Sequence, residues 1–324
     1  MLAKRRIIRL GSATELKTPL LLPSFSSKGF PRVQKIIKTC EEYISEEVLV
    51  SAYDISYGAL KPDFDFASTI FLDSGGYEAS KDADLSEIYE GDHITNEWSP
   101  EKYSEVVQNW TCTSPTVFVS FDHPRFRTDT REQIERARKL VLPHGEHSRS
   151  FLLKPESADA VRLHLDRITP HLARLKDFTM IGITEKEIGN SILSRMMNVA
   201  RLRKALDRHH PDMPIHVFGS LDTISTYLFF LAGADIFDGL TWLRYAFSEG
   251  DTIYRHSFGA LKLPINVNSD IVEGRCWSNN YQYMQQMRLN MVKFVNDQNF
   301  EHFGKHHDLI RSAYQEMCAE LAGD

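Results

Sequence analysis

The stretch STIFLDSG, residues 68–75, joins a short apolar run to an acid and a flexible turn. Residues 70–72 (IFL) are typical of a buried strand, and Asp73 follows where that strand would end. Near-continuous apolar character favours a strand covered on both faces, as in a parallel sheet. Asp, Ser and Gly are also ordinary turn residues, so this stretch alone favours a structural turn over an active-site acid.

The same unit, an apolar run with a polar end, recurs along the chain. Each run has the length of a strand and is rich in β-branched, aromatic or leucine residues. The eight runs are PLLLPSF (19–25), EVLVSAYD (47–54), STIFLDSG (68–75), TVFVSFDHP (116–124), RSFLLKP (149–155), FTMIGIT (178–184), PIHVFGS (214–220) and DIFDGLTW (235–242). Helix-like segments such as 131–142 and 190–209, the latter with Asn190 or Ser191 as N-cap, lie between them. This alternation predicts an α/β fold, a (β/α)8 TIM barrel.

The predicted barrel comprises residues 1–250 and forms the catalytic core. Residues 251–324 lack clear alternating strands, and from Tyr281 on they have a mostly helical pattern, which predicts a helical C-terminal subdomain packed on the barrel. An open doubly wound sheet is the alternative fold. It is disfavoured because a glycine-rich phosphate-binding fingerprint does not follow the first run.

Composition limits the class of protein. The chain has 324 residues, of which 42% are hydrophobic and 25% charged, as in globular enzymes. A net charge of −6 disfavours an evenly basic surface but still allows a local nucleic-acid site. Apolar stretches fall short of the roughly 20 residues that span a bilayer, and we expect neither a membrane segment nor a signal peptide. Four scattered cysteines favour a reduced, cytoplasmic protein.

A parallel barrel places its chemistry at the carboxyl ends of the strands. The residues at these predicted ends are mostly polar, and three of the runs end in, or close to, the acids Asp73, Asp122 and Asp238. The full set of predicted strand ends is Ser24, Tyr53, Asp54, Asp73, Asp122, Lys154, Thr184, Ser220 and Asp238.

Five ordered motifs resemble those of the tRNA-guanine transglycosylase family, (β/α)8 enzymes that exchange guanine for a 7-deazaguanine base. DSGGYE (73–78) resembles the family's DSGGFQ motif, and VSFDHP (119–124) resembles its AFDECTP-like segment. The other three are TPLLLPSFSSKG (18–29) for the first strand and loop, GITEKE (182–187) for the GGLAVGE-like base-binding loop, and FGSLDTISTYLFFLAGADIFDGLTWLR (218–244) for the stretch that ends in FDCVxPTR.

The resemblance implies a role for each matching residue. Asp238 would be the nucleophile and Asp73 the general acid and base. A carboxylate can capture the oxocarbenium-like sugar that forms when a glycosidic bond breaks, and a second carboxyl can handle the protons of the leaving and entering bases. The implied base-binding residues are Ser74, Gly75, Gly76, Tyr77, Asp122, Gly182, Ile183 and Glu187.

The first departure from the family concerns zinc. The family binds zinc through CxCxxC and a later His, whereas the matching run CWSNNY keeps Cys276 and has Ser278 and Tyr281 at the other two positions. His307 is near the expected His. One Cys and one His cannot supply a structural zinc site of four ligands, so we predict no zinc and no other cofactor. We expect Cys276 to be an ordinary buried cysteine.

The second departure follows the nucleophile. The family's PTRxxR becomes TWLRYAF (241–247), which keeps Arg244 and has Phe247 at the second arginine position. Arg244 and Trp242 are the predicted nucleic-acid-binding residues, although core packing explains Trp242 equally well. This profile is similar to that of the DNA-guanine transglycosylases, which insert a base such as preQ0 into DNA. DNA is therefore the favoured partner. Helper proteins and a second copy of the chain are the further partners considered.

Three alternatives stay open from the sequence. The enzyme would act on tRNA, or on a small nucleoside, or the chain would be a noncatalytic nucleic-acid-binding partner of such an enzyme. The last alternative is disfavoured because both Asp73 and Asp238 are present.

Overall fold

A closed barrel of parallel strands dominates the computed structural model, which describes residues 1–80, 93–123 and 126–323. Two short strands, β1 (Ile7–Leu10) and β2 (Thr14–Lys17), form a separate small sheet. The eight barrel strands are β3 (Leu20–Phe25), β4 (Glu47–Ser51), β5 (Thr69–Asp73), β6 (Thr116–Val119), β7 (His147–Leu152), β8 (Met180–Thr184), β9 (Ile215–Phe218) and β10 (Ile236–Gly239).

The order of strands around the barrel follows the chain. Each strand pairs in parallel with the next, and β10 closes the ring on β3, with Ile236 opposite Leu20 and Asp238 opposite Leu22. Seven of the eight predicted runs contain a whole strand, and the run 149–155 contains all of β7 except its first two residues, which confirms the predicted (β/α)8 barrel. Every residue of β3, β4 and β6 is buried, as expected for strands covered on both faces.

Helices separate the barrel strands and form the C-terminal region. They are α1 (Val33–Cys40), α2 (Ala52–Ser56), α3 (Gly76–Ala79), α4 (Pro100–Gln108), α5 (Thr130–Arg138), α6 (Leu165–Ile168), α7 (Ile192–Asp207), α8 (Ser225–Leu231), α9 (Thr241–Arg244), α10 (Arg255–Lys262), α11 (Ser269–Asp297) and α12 (His307–Gly323). Three 3-10 segments span Thr169–Asp177, Glu185–Glu187 and Phe300–His306. Ser191 is the N-cap of α7, since its side chain accepts a hydrogen bond from the Ser194 N–H.

The chain divides into two compact units. Unit 1 comprises residues 1–6, 17–23 and 184–324, and unit 2 comprises residues 7–16 and 24–183. Pro124 of the fourth predicted run and Asp324 of the predicted C-terminal subdomain lie outside the described residues.

The C-terminal region begins with a hairpin. Strands β11 (Tyr245–Ser248) and β12 (Asp251–Tyr254) pair antiparallel, so the predicted boundary after residue 250 falls in their turn. The region that follows is helical, as expected, but α11 begins at Ser269 rather than near Tyr281. The Asn268 side chain accepts a hydrogen bond from the Asp270 N–H at 2.8 Å and so caps this earlier start. Within the described residues, the helices include none with the length and apolar character needed to cross a membrane.

A buried ion-pair network stabilises unit 1 immediately before β10. Asp235 is fully buried, and its carboxylate accepts hydrogen bonds from Arg6 Nη1 at 2.6 Å and from the Ile215 N–H at 2.9 Å. Arg203 Nη1 lies 3.8 Å from the other carboxylate oxygen, and Arg203 Nη2 pairs with Asp207 at 2.6 Å. Buried charges persist only when they are paired in this way.

Candidate active site

The turn after β5 is set by two glycines in tight contact with their surroundings. The Gly75 N–H donates a hydrogen bond to Asp73 Oδ2 at 3.0 Å, and Gly75 has a φ of 85°, which favours glycine. A Cβ on Gly75 would lie 2.5 Å from the Cβ of Tyr53. A Cβ on Gly76 would lie 2.7 Å from Asp122 Oδ2. Close packing therefore requires both glycines, in addition to any room they leave for a base.

Ser74 joins the ends of β5 and β6. Its hydroxyl accepts a hydrogen bond from the backbone N–H of Asp122 at 3.0 Å, and its carbonyl accepts one from Trp98 Nε1 at 2.7 Å. Ser74 is fully buried, so these bonds satisfy polar groups that water does not reach. The predicted base-binding residues Ser74 and Asp122 are thus brought together by the fold.

Asp122 is held by two cations. Arg127 Nη1 donates to Oδ1 at 2.9 Å, and Lys154 Nζ lies 3.2 Å from Oδ2. The Asp122 side chain is 13% exposed, and those of Arg127 and Lys154 are 19% and 10% exposed. Partial burial strengthens such pairs relative to surface ones. The three side chains carry a net charge of +1, so a ligand at this point meets a positive site despite the acid.

A buried carboxyl pair, missed by the sequence analysis as a site, lies behind the same turn. Glu78 of α3 accepts hydrogen bonds from Ser26 and Ser51, and Asp54 of α2 accepts them from the backbone and hydroxyl of Ser27. Burial, with the charge of Asp54, raises the pKa of Glu78 to about 7. Burial likewise raises the pKa of Asp54 to about 6. Glu78 is the last residue of the quoted DSGGYE motif. Its place in that motif was the sequence feature that could have identified this carboxyl pair.

Tyr77, a predicted base-binding residue, lies on α3 with 38% of its surface exposed. Lys28 Nζ is 4.6 Å from the centre of its ring. The same ammonium group donates hydrogen bonds to the carbonyls of Tyr77 at 2.9 Å and Ser80 at 3.0 Å. Lys28 therefore fixes the end of this short helix and covers the Tyr77 ring.

Gly182 and Ile183 lie within strand β8, not in a loop as the resemblance implies. The Gly182 carbonyl accepts a hydrogen bond from the Leu153 N–H at 2.8 Å, and the Ile183 side chain is fully buried. Their predicted contact with a base stays a prediction.

In unit 1, Asp238 is paired with a buried histidine. His216 Nε2 of β9 lies 3.0 Å from Asp238 Oδ1, and the Gly219 N–H donates to the same oxygen at 3.3 Å. Asp238 is 6% exposed, and His216 is fully buried with its ring stacked on Phe218 at 3.8 Å. His216 is not among the site residues predicted from the sequence. The sequence feature that could have identified His216 is its position as a polar residue within the apolar run PIHVFGS. This run comes immediately before the run that contains Asp238.

Glu187, also in unit 1, is buried in the 3-10 turn Glu185–Glu187. Arg195 of α7 holds this turn, because its guanidinium pairs with Glu185 at 2.6 Å and donates to the Gly189 carbonyl at 3.2 Å. Burial raises the pKa of Glu185. These contacts tie the turn that contains Glu187 to α7.

The two predicted nucleic-acid-binding residues differ in accessibility. Arg244, the last residue of α9, is partly exposed. Trp242 is fully buried, and its carbonyl accepts a hydrogen bond from Asn280 at 2.6 Å. The Trp242 ring belongs to the core, so its position does not support the predicted contact with a nucleic acid.

Cys276 is buried in a small apolar cluster with Ala246 and Phe258, and burial raises the pKa of its thiol to about 11. His307 Nδ1 lies 2.9 Å from the Gly304 carbonyl. Over residues 1–80, 93–123 and 126–323, three or more His, Cys, Asp or Glu side chains do not come together as a metal site would require. The expected absence of zinc stays a prediction.

Comparison with protein-family models and with curated proteins finds no match for this chain. The resemblance to transglycosylases accordingly depends on the motifs themselves.

Proposed function

We propose that the protein is a transglycosylase that replaces guanine in a nucleic acid, in the first place DNA, with a 7-deazaguanine such as preQ0. The observation that carries the proposal is the environment of Asp238. It is a nearly buried carboxylate in a barrel strand, with His216 and a backbone N–H on one of its oxygens. Such contacts hold one carboxylate oxygen in a fixed orientation, which suits a nucleophile that must face C1′ of the sugar.

The proposed reaction consists of two displacements at C1′ of the sugar. In the first, an Asp238 oxygen forms a bond to C1′ while the bond to guanine breaks, and Asp73 donates a proton to the departing base. In the second, Asp73 takes a proton from the incoming 7-deazaguanine, whose nitrogen displaces Asp238. Two inversions retain the configuration at C1′. The hydrogen bond from Gly75 to Asp73 supports this role because it fixes the carboxyl group.

Base recognition is assigned to the turn that links β5 and β6. Ser74 holds Asp122 in place, and the carboxylate of Asp122 accepts hydrogen bonds from the N–H groups of a guanine-like base. A base that lacks those N–H groups forgoes these hydrogen bonds and binds more weakly. Gly182, Ile183 and Glu187 complete the proposed set.

The test follows a labelled base into a polymer. The protein is incubated with labelled guanine and, in separate reactions, with duplex DNA, single-stranded DNA and tRNA. We expect label in DNA with the wild-type chain and none with Asp238→Ala. Asp166→Ala, an exposed acid on α6, is the matched control and retains activity.

Each outcome of this test separates the candidates. Label in tRNA alone assigns the enzyme to tRNA and refutes the DNA assignment. The absence of label from all three polymers, with the chain folded, refutes the proposed function. Wild-type exchange by Asp238→Ala refutes the choice of nucleophile.

A further inference from the structure

Unit 2 contains a cavity that the base-exchange reaction does not use in full. Its volume is about 550 Å³, within the roughly 300–1,000 Å³ of small-molecule sites. Its walls come from α4, α5 and the segments around the carboxyl ends of β6 and β7. Of the proposed base-binding residues, Asp122 is the one that lines this cavity.

One part of the wall is aromatic. Phe121, Phe126, Phe151 and Tyr103 line it, and the rings of Phe121 and Tyr103 are 5.8 Å apart. Phe126 is 48% exposed, with the Arg136 guanidinium 4.6 Å from its ring centre. Tyr103 and Phe151 are buried, so Phe121 and Phe126 offer the aromatic surface for a flat ligand. Stacking on a base contributes on the order of 1–3 kcal/mol.

Another part of the lining is the group of Asp122, Arg127 and Lys154, with its net charge of +1. Arg127 Nη1 donates to both Asp122 and the His123 carbonyl, and a guanidinium has five N–H donors in all. Gln133 fixes the Lys154 backbone with two hydrogen bonds, of 2.9 and 3.0 Å. The cations are therefore held in place for an anionic group.

We propose that this cavity binds a nucleoside monophosphate, with the phosphate at Arg127 and Lys154 and the base on the aromatic wall. Arg and Lys together are the usual partners of a phosphate, and the net positive group offsets part of the phosphate's charge. A flat ring and one phosphate match the two parts of the wall. Binding breaks no bond, so it is measured without the exchange reaction and stands or fails separately from it.

The experiment is a calorimetric titration with guanosine 5′-monophosphate, compared with guanosine and with ribose 5-phosphate. We expect saturable binding of the monophosphate and much weaker binding of both fragments. Lys154→Met keeps the stem but removes a charge, and weakens monophosphate binding by roughly tenfold to a hundredfold. Lys176 is an exposed lysine outside the cavity, and Lys176→Met leaves the affinity for the monophosphate unchanged.

A second variant distinguishes a phosphate site from general damage. Asp122→Asn removes the negative charge between the cations, so we expect monophosphate binding to become several-fold tighter. Damage to the fold would weaken binding in both variants, and thermal unfolding checks this. Equal affinity for guanosine and its monophosphate, or weaker binding by Asp122→Asn with the fold intact, overturns the proposal. If a short DNA strand competes with the monophosphate, the natural ligand of the cavity is a nucleotide within a strand. If the strand does not compete, the natural ligand is a free nucleotide.

Discussion

Asp122 and Asp238 both lie at the carboxyl ends of barrel strands, yet their surroundings differ in kind. Asp122 contacts two permanent cations, Arg127 and Lys154. Asp238 contacts a histidine and a backbone N–H. The first arrangement neutralises the acid and leaves a positive site, which suits an anion. The second holds one oxygen of the acid through a histidine and a backbone N–H, which suits a carboxylate oriented for attack on a sugar. The partners of a strand-end acid, rather than its position, decide what it can do.

The largest expected effect is on the exchange rate, which substitution of Asp238 lowers far more than substitution of Asp122. Asp238→Asn removes the bond-forming group and lowers the exchange rate on the order of 10⁴-fold or more. Asp122→Asn removes a hydrogen-bond acceptor for the base and lowers the rate by about 10- to 100-fold. Initial rates of labelled guanine exchange measure both. Equal losses would show that the comparison of the two acids is wrong.

Asp238 and its near neighbour Asp235 are expected to differ in how much their substitution lowers the free energy of unfolding. Asp235→Asn leaves the buried Arg6 and Arg203 without their shared anion and lowers the free energy of unfolding by about 3–5 kcal/mol. Asp238→Asn retains a polar side chain beside His216 and changes the free energy of unfolding by about 1 kcal/mol or less. Denaturant unfolding measures both variants. A larger loss in Asp238→Asn would make that acid structural rather than catalytic.

The turn next to Asp73 gives a smaller expected effect. Gly75→Ala places a Cβ 2.5 Å from Tyr53 in a left-handed conformation, and lowers the free energy of unfolding by roughly 1–3 kcal/mol. Gly274→Ala in α11 is the control, because a Cβ there meets nothing within 4 Å and alanine favours a helix. We expect the control to be as stable as the wild type or more so. Equal stability of the two variants would contradict the tight packing of the turn.

The smallest effect is a dependence on pH behind that turn. The ordinary pKa of Glu78 is 4.5 and burial raises it to about 7, so the folded state binds more protons between these values. Stability from this group is therefore present below pH 4.5 and is lost as the pH rises through about 7. Glu78→Gln makes this part of the stability curve flatter, whereas Glu42→Gln, an exposed control, does not. An unchanged slope in Glu78→Gln would rule out a raised pKa.

The barrel was predictable because its strands are buried on both faces. A strand without a solvent face is apolar throughout, so each run is visible in the sequence by itself, as IFL at residues 70–72 illustrates. The start of α7 was equally local, since Ser191 bonds to a residue three positions away. The start of α11 was missed because polar residues between 269 and 280 obscure its pattern, although Asn268 is a recognisable cap.

The sequence by itself determined the eight strands and which acids stand at their ends, because both depend on neighbours along the chain. Only the tertiary structure decided what those acids contact. Asp122 meets Lys154 from the next strand, Asp238 meets His216 from the previous one, and Trp242 is in the core. These contacts join residues far apart in the chain, and their distances and burial set the charge that each acid presents.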